Sequence, residues 1–461
     1  MSDVINLGRA RKRKRKEAEK RQADANALAH GRTKGEKARE RQRRDQLEAT
    51  LDGARRASAP EDARPEAASH ERTPGVPPLH EPTITTDELR PTYLEVDLAQ
   101  LEANYRAIQS HVGPQVKVMP ILKANAYGHG LVAVGRMLDR LGAPMLGVAY
   151  LEEAMRLRQE GVRTSILVLG GIVGEQIPRF LEHDLVLTAS SVDKLQAIEE
   201  HAAALGVRAR VHLKIDTGME RIGVHWYSAQ TLLQASLRCR HVAVEGIFTH
   251  FANADGADLA HARVQLERFA EVLSFYERRG LPTPMRHAAN SGAIVQLPDS
   301  HFDMVRPGIL FYGARPSLEV PAIVPVKGAL RWITRVVYFK VVKEGQPVSY
   351  GSTWAPSAMT RVVTLPVGYG DGYARALSGR AHVLVRGIRR PVVGRICMDQ
   401  LMVDLGPDGT AYNGDEVVLL GSAGEQSIGI EDLAEWGGTI PHEVLVAINT
   451  RVPRVHRPRE P

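Results

Sequence analysis

A chain of 461 residues with 43% hydrophobic side chains can build two or three domains with sizeable cores. No stretch approaches the eighteen or more apolar residues of a membrane span, and the basic start is not followed by the apolar segment of a secretory signal. Two distant cysteines, Cys239 and Cys397, are no disulfide framework and fit a reducing cytoplasm, so membrane-spanning and disulfide-scaffold classes are set aside.

Charge is concentrated at the start. Residues 1–60 carry 18 Lys or Arg against 9 Asp or Glu, a net of +9, whereas the whole chain is +7 and the remainder therefore −2. The basic character belongs to an appendage and says nothing about what the folded body binds. RARKRKRKEAEKRQ and GEKARERQRRDQLEATL lack an apolar stripe, and a proline-rich linker follows, so residues 1–88 are expected to be disordered or weakly helical. Weak nonspecific contact with nucleic acid or anionic lipid is compatible with such a tail. Specific nucleic-acid reading is not expected, because aromatic stacking residues are missing from it.

From residue 89 to 327 the chain alternates between apolar runs and helical stretches. KVMPIL, MLGVA, SILVLG, DLVLTA, RVHLKID, VAVEGIFTH, MRHAAN and FDMVRPG read as strands. LVAVGRMLDRLG, SVDKLQAIEEHAAALG and ARVQLERFAEVLSFYERRG read as helices, each closing near a glycine. Eight such units predict an α/β fold, a (β/α)8 barrel, in which chemistry gathers at the strand exits. Those exits carry Lys123, Lys214, His250, Asn290 with Ser291, and Arg306. From 328 to 461, RWITRVVYFKVV, TRVVTLPVGYGDG, AHVLVRG, RRPVVGRICMDQLMVDL and DEVVLLG predict a second domain of mostly antiparallel strands.

A lysine leaving an apolar strand, as in ILKANAYGHG, is either a surface charge or an amine tuned to condense with an aldehyde. Ser291 and the Gly308 and Ile309 N–H groups beside Arg306 form a credible phosphate nest. Pyridoxal 5'-phosphate is the cofactor that this pairing suggests. No metal site is expected, since His129, His250 and His287 lack ligand spacing with carboxylates or cysteines.

ILKANAYGHG, HLKIDTGMERIG, GIFTHFANAD, AANSGA, VRPGILFYG, VSYGSTW, GYGDGY and GRICMDQLMVDL together resemble the successive motifs of the bacterial alanine racemases, over residues 94–458. The resemblance implies cytoplasmic homodimers with composite sites that interconvert L- and D-alanine and supply D-alanine for peptidoglycan. It implies that Lys123 carries the cofactor and serves as one acid/base, and that Tyr350 from the second subunit is the other. Arg306 would face the pyridine nitrogen, Arg221 the substrate carboxylate, and His250 would bond Tyr350. Ser291, Gly308, Ile309 and Tyr127 would hold the phosphate, and the Met398 N–H of the second subunit would grip the carboxylate. Lys214, Tyr369 and Asp399 are expected in supporting or entrance positions. The first sixty residues resemble short, uncharacterised basic bacterial proteins.

Racemisation removes a proton from one face of a carbon and returns one to the other, so two groups on opposite faces are needed. Lys123 and Tyr350 suit those roles. Two positions depart from the family pattern: Glu220 stands where glycine is usual, and Thr450 where a phosphate-binding tyrosine is common. Alternatives are a racemase of other or broader range, acting on serine, lysine or arginine, and a pyridoxal-phosphate decarboxylase sharing the two-domain plan.

Overall fold

Eight short apolar runs, several of them buried on both faces, line up in parallel, each separated from the next by a helix that must return along the outside. In the computed structural model, which describes residues 90–457, these strands are Lys117–Val118, Leu146–Val148, Ile166–Val168, Leu187–Ala189, Ala209–Asp216, Val242–Phe248, Met285–His287 and Met304–Val305. Parallel ladders join the eighth to the first, the second to the third, and the fourth through the seventh. Single bridges at Ile121–Gly147 and Leu167–Val186 join the remaining neighbours of the first half. Hydrogen bonds from Asp303 N to Arg286 O, 3.1 Å, and Arg306 N to Ala289 O, 2.9 Å, close the barrel between the last two strands.

The intervening helices obey their caps. Ser191 Oγ accepts from Lys194 N at 3.1 Å at the start of Val192–Leu205, and Gly206 ends that helix with φ of 64°. The third expected helix runs Ala260–Glu277, and the first Leu131–Arg140. Met119, Val148, Leu187, Leu213, Ile247 and Met304 are fully buried, so the barrel interior is packed rather than open.

The second domain is a ten-stranded sheet, antiparallel but for one pair. The run RWITRVVYFKVV is two strands, Leu330–Arg335 and Tyr338–Val342. Between them Val336 N bonds Asp415 O and Val337 N bonds Thr364 O, both at 3.0 Å, so the chain changes partner strand there. Two helices that periodicity did not single out, Ile430–Gly437 and Pro441–Ala447, follow the sheet.

One boundary is corrected. The interval 89–327 assigns the strand Tyr93–Asp97 to the barrel, but it lies inside the second domain's sheet, antiparallel to Leu330–Arg335 and parallel to Arg454–Arg457. Its central residue explains the placement. Glu95 is buried and forms ion pairs with Arg331 at 3.3 Å on one neighbouring strand and with Arg457 on the other. The expected basic extension, residues 1–88, lies outside the described residues. Among the described residues no helix is long and apolar enough to cross a membrane.

Candidate active site

The first strand hands the chain directly to an unusual turn. Lys123 opens it, and Ala124, Asn125, Ala126 and Tyr127 all have positive φ, between 50° and 56°. Four consecutive L-residues in the left-handed region cost about 1–2 kcal/mol each, so the surroundings must impose the conformation. They do so with specific bonds. Glu153 accepts from Ala124 N at 2.6 Å, and the Asn125 side chain from Leu131 N at 2.8 Å. His129 Nδ1 lies 3.1 Å from Ala126 O and 2.9 Å from Tyr127 O; both are carbonyls, so Nδ1 carries the proton. The turn leaves the Lys123 ammonium 5.9 Å from the centroid of the Tyr127 ring.

Lys123 reaches into a cavity of about 500 Å³ at the strand exits, whose walls include Tyr127, Lys214, Arg221, His250, Ser291, Arg306, Gly308 and Ile309. Nine residues singled out from sequence thus share one space. Surrounding protein, then the nearby Arg221 cation, hold the Lys123 amine below its ordinary range, against the opposing pull of Glu153. Arg221 sits on a loop that Asp216 ties down, accepting from Gly218 N, Met219 N and Arg221 N at 2.8, 2.9 and 3.1 Å. Burial alone would raise the Asp216 carboxyl, but these backbone donors outweigh it and hold it below its usual range. Glu220, within this loop, has φ of 54°, so a glutamate adopts the backbone that glycine would take freely, while its side chain pairs with His225 at 2.9 Å.

Behind the cavity runs a polar chain whose tautomers follow from its donors. Arg306 is buried and donates to Thr249 O at 2.7 Å, Ala288 O at 2.8 Å, His287 Nδ1 at 3.0 Å and His250 Nδ1 at 3.2 Å. Arginine cannot accept, so both imidazoles accept at Nδ1 and carry their protons on Nε2. His287 Nε2 then donates to His212 Nδ1 at 2.8 Å. Burial and then the Arg306 charge hold His250 and His287 well below the usual imidazole range, and burial brings Arg306 down to about 9, still a cation at neutral pH.

At the other end, Ser291 Oγ accepts from Gly308 N at 2.9 Å and Leu310 N at 3.3 Å, which turns its own hydroxyl proton outward as a donor. The Gly308 N–H is engaged by Ser291 in this arrangement. Tyr127 stacks on Tyr312 with centroids 4.8 Å apart, and the Tyr312 hydroxyl donates to Ile121 O at 2.9 Å.

Residues from the second domain form a separate group. Tyr350 is 73% exposed and stands outside the cavity, on a loop that Ser349 anchors to Arg395 O at 2.6 Å. Met398 O accepts from Gly370 N at 2.8 Å beside Tyr369, and Asp399 pairs with Arg451 at 2.8 Å. None of Tyr350, Tyr369, Met398 and Asp399 lines the Lys123 cavity of its own chain. Thr450 is exposed and is likewise absent from its walls. His442, which motif reading passed over, does line it, entering from the helix Pro441–Ala447. No local pattern in IPHEVL marks that histidine; only the long-range packing of the helix does.

The donor set fits pyridoxal 5'-phosphate. Lys123, Lys214, Arg221 and Arg306 face a space in which Asp255 is the one lining carboxylate, and Lys214 is buried with its ammonium 4.8 Å above the Phe248 ring. Burial, then Arg306, lower the Lys214 amine far below its usual range. The Arg221 and Arg306 guanidinium groups facing this space call for an anion. A glycine at 308, where a Cβ would stand 2.6 Å from the Tyr127 hydroxyl oxygen and 3.8 Å from Ser291 Oγ, keeps the donor cluster open.

A closed parallel barrel with a reactive amine and anion donors at its strand exits, continued by a β domain, defines a two-domain barrel enzyme. Residues 96–316 match the alanine racemase N-terminal domain, residues 329–456 the alanine racemase C-terminal domain, and residues 2–56 a domain of unknown function (DUF4169). Alanine racemase 2 of Caldanaerobacter subterraneus is 42% identical over 371 residues, covering 80% of this chain and 96% of that protein. The alanine racemase of Carboxydothermus hydrogenoformans is 42% identical over 369 residues, 80% of this chain and all of the other. Among solved structures, alanine racemase from Streptomyces lavendulae superposes with a TM-score of 0.77 at 37% identity, covering 80% of this chain and 98% of that one. The Bartonella henselae enzyme, solved with covalently bound pyridoxal phosphate, gives 0.73 at 28%, covering 80% and 100%. The chain belongs to the alanine racemase family.

Proposed function

We propose that this chain is a pyridoxal 5'-phosphate-dependent alanine racemase that interconverts L- and D-alanine in the cytoplasm and supplies D-alanine for peptidoglycan. The observation that carries the reading is the lysine at the mouth of the first strand, lowered in pKa and facing the Ser291, Gly308 and Tyr127 cluster across one cavity. When bound, the cofactor supplies an aldehyde that condenses with amines and a ring that draws electrons from the carbon whose proton is exchanged.

The chain's own residues then divide the work. Lys123 holds the cofactor and, its amine already lowered, moves a proton on one face of the substrate. Arg221 binds the substrate carboxylate. Ser291, Ile309 and Tyr127 donate to the phosphate, and Gly308 shares its N–H between Ser291 and that anion. Arg306 faces the ring nitrogen; a guanidinium donates without giving up its proton, so the ring is left unprotonated and side reactions of the amino group are kept low.

The opposite face needs a second acid/base, a role that the exposed Tyr350 of another copy suits. In this reading two copies exchange their second-domain groups: Tyr350 and the Met398 N–H of one chain enter the Lys123 cavity of the other, past Tyr369 and Asp399. His250 presents Nε2–H on the ring edge away from Arg306, placed to bond the incoming phenol oxygen, and Lys214 supports Arg221. Each half-site is incomplete without its neighbour, so the active species is a homodimer. The test is to incubate purified protein separately with each enantiomer of alanine, serine, lysine and arginine, following both the opposite enantiomer and amine products. Interconversion led by alanine supports the reading, and amine release without interconversion overturns it.

A further inference from the structure

Arg221 and His250 follow two paired strands, Ala209–Asp216 and Val242–Phe248. The proposed chemistry needs them in register, since one takes the substrate carboxylate and the other the incoming phenol. Asp216 ties the Arg221 loop to the end of its own strand. The bonds that join this loop to the His250 strand end come from one face of the outer helix Ala260–Glu277.

His261, Gln265 and Arg268 recur at i, i+4 and i+7, so they share that face. His261 Nε2 donates to Gly218 O at 3.1 Å, and Arg268 to Thr217 O at 2.9 Å. Arg268 also lies 5.2 Å from the centroid of the Trp226 ring, beyond the far end of the loop. A Cβ on Gly218 would stand 3.1 Å from the His261 ring and 3.2 Å from the Arg268 guanidinium, so the helix follows the loop closely. Between these two lies Gln265, fully buried, and its partners fix the orientation of its amide. Ala252 N can only donate, so Oε1 faces it at 2.9 Å; His250 O can only accept, so Nε2 faces it at 3.0 Å. Nε2 also donates to Thr217 Oγ1 at 3.3 Å, and Thr217 Oγ1 lies 2.7 Å from Thr249 Oγ1. One buried amide therefore joins the residue that opens the Arg221 loop to the backbone on both sides of Phe251. Thr249 O accepts from Arg306 at 2.7 Å, which carries the same connection to the guanidinium behind the cavity.

We propose that Gln265 is a positioning residue for racemisation, one that sets the placement of the Arg221 guanidinium relative to the His250 ring without itself lining the cavity. This rests on the reading of Arg221 as the carboxylate site and of His250 as the partner of Tyr350. An amide suits the task because it offers an acceptor to one backbone group and donors to two others. Turning it over would set Oε1 against His250 O and Nε2 against Ala252 N, and an apolar side chain would leave both backbone groups unpaired in a buried place.

The test separates the substrate carboxylate from its amine. Full-length protein loaded with pyridoxal 5'-phosphate is titrated with L-alanine and with ethylamine, which has the amine but no carboxylate, and the cofactor absorbance is followed. Gln265→Met keeps the length of the side chain and removes its bonds; it is expected to weaken alanine about tenfold and ethylamine by less than about twofold. With Arg221→Ala already in place, Gln265→Met should cost alanine little more, because a residue that acts through Arg221 then has nothing left to position. In the cofactor-free protein, hydrogen exchange followed by mass spectrometry should be faster over residues 216–224 in the variant and unchanged over the Lys123 turn. Should Gln265→Met fail to fold, Gln265→Glu keeps the bond from Ala252 N and loses only the two that Nε2 donates, and the same alanine-selective loss is expected. Equal losses for the two amines, no loss for either, or a full further loss on top of Arg221→Ala would overturn the proposal and leave Gln265 as packing alone. An Arg221→Ala variant that takes alanine as well as wild type would instead bring down the carboxylate reading itself, and this proposal with it.

Discussion

Gly308 and Tyr127 are packed so closely that a methyl group on the glycine would come within 2.6 Å of the tyrosine hydroxyl oxygen. Gly308→Ala must therefore push the Tyr127 hydroxyl out of the donor cluster. Because Gly308 is not among the glycines with positive φ, the substitution acts through sterics alone. We expect weaker binding of pyridoxal 5'-phosphate, by about tenfold, with a much smaller loss for pyridoxal. Fluorescence titration would show it, and an unchanged affinity would mean that Tyr127 takes no part in holding the phosphate.

The separation of Tyr350 from the Lys123 cavity makes a prediction about mixed dimers. Lys123→Ala and Tyr350→Phe chains are each expected to be nearly inactive. After subunit exchange, a heterodimer holds one site with both native groups and one with neither, so activity per heterodimer should rise toward half that of wild type. Exchange verified by mass spectrometry with no recovery would place both groups in one chain.

Tyr350→Phe also tests which face each group serves. Following the roles that the family resemblance assigns, Lys123 works on the D enantiomer and Tyr350 on the L. In deuterated buffer, the variant should label D-alanine with retained configuration while labelling of L-alanine falls by about 10²- to 10⁴-fold. Equal loss of label for both enantiomers, with cofactor still bound, contradicts the two-base assignment.

The buried histidines predict an acid-sensitive fold. Burial lowers His129 and His212 to about 3, whereas in the unfolded chain both titrate near 6.5. Between those limits the unfolded chain binds protons that the folded chain refuses, so stability present above pH 6.5 is lost as pH falls, at about 1.4 kcal/mol per pH unit for each group. Urea unfolding at pH 7 and 5.5 should show the decline, and His212→Gln should make it shallower. A slope unaltered by that substitution would show that His212 is protonated in the fold.

Arg90 sets a limit on truncation. It donates to both carboxylate oxygens of the fully buried Asp371 at 2.8 Å. Removing residues 1–88 is expected to leave turnover and stability nearly unchanged, because that segment has little apolar surface to bury. Removing residues 1–91 takes Arg90 away and should cost about 1.5–3 kcal/mol. Thermal unfolding of the two truncated proteins distinguishes them, and equal midpoints would mean that Arg451, 3.5 Å from Asp371, compensates.

Much of this architecture is legible in the sequence because barrel strands are buried on both faces and therefore appear as short unbroken apolar runs, such as SILVLG and DLVLTA. Their exits stand out because Lys214 and Arg306 are charges where core residues are expected. What stays hidden depends on contacts distant along the chain or on backbone conformation. Nothing in ANAY announces a left-handed turn, since it contains no glycine and its restraints come from Glu153, Leu131 and His129. Tyr93–Asp97 has the alternation of any half-buried strand, and only Arg331 and Arg457 reveal which sheet claims it. The strand run from Arg331 to Val342 divides because two different partners compete for it, which composition does not express.

The position of Tyr93–Asp97 between Leu330–Arg335 and Arg454–Arg457 also orders events during synthesis. The barrel is in effect threaded into the β domain, whose first strand emerges from the ribosome before any barrel strand and whose last emerges after all of them. At about 5–20 residues per second, tens of seconds pass before Leu330–Arg335 arrives to cover one edge of that strand. The other edge waits for Arg454–Arg457. A nascent chain can complete its barrel while it is still tethered, but its second domain closes only once Arg454–Arg457 has emerged, and with it the helix that carries His442 takes its place beside the cavity.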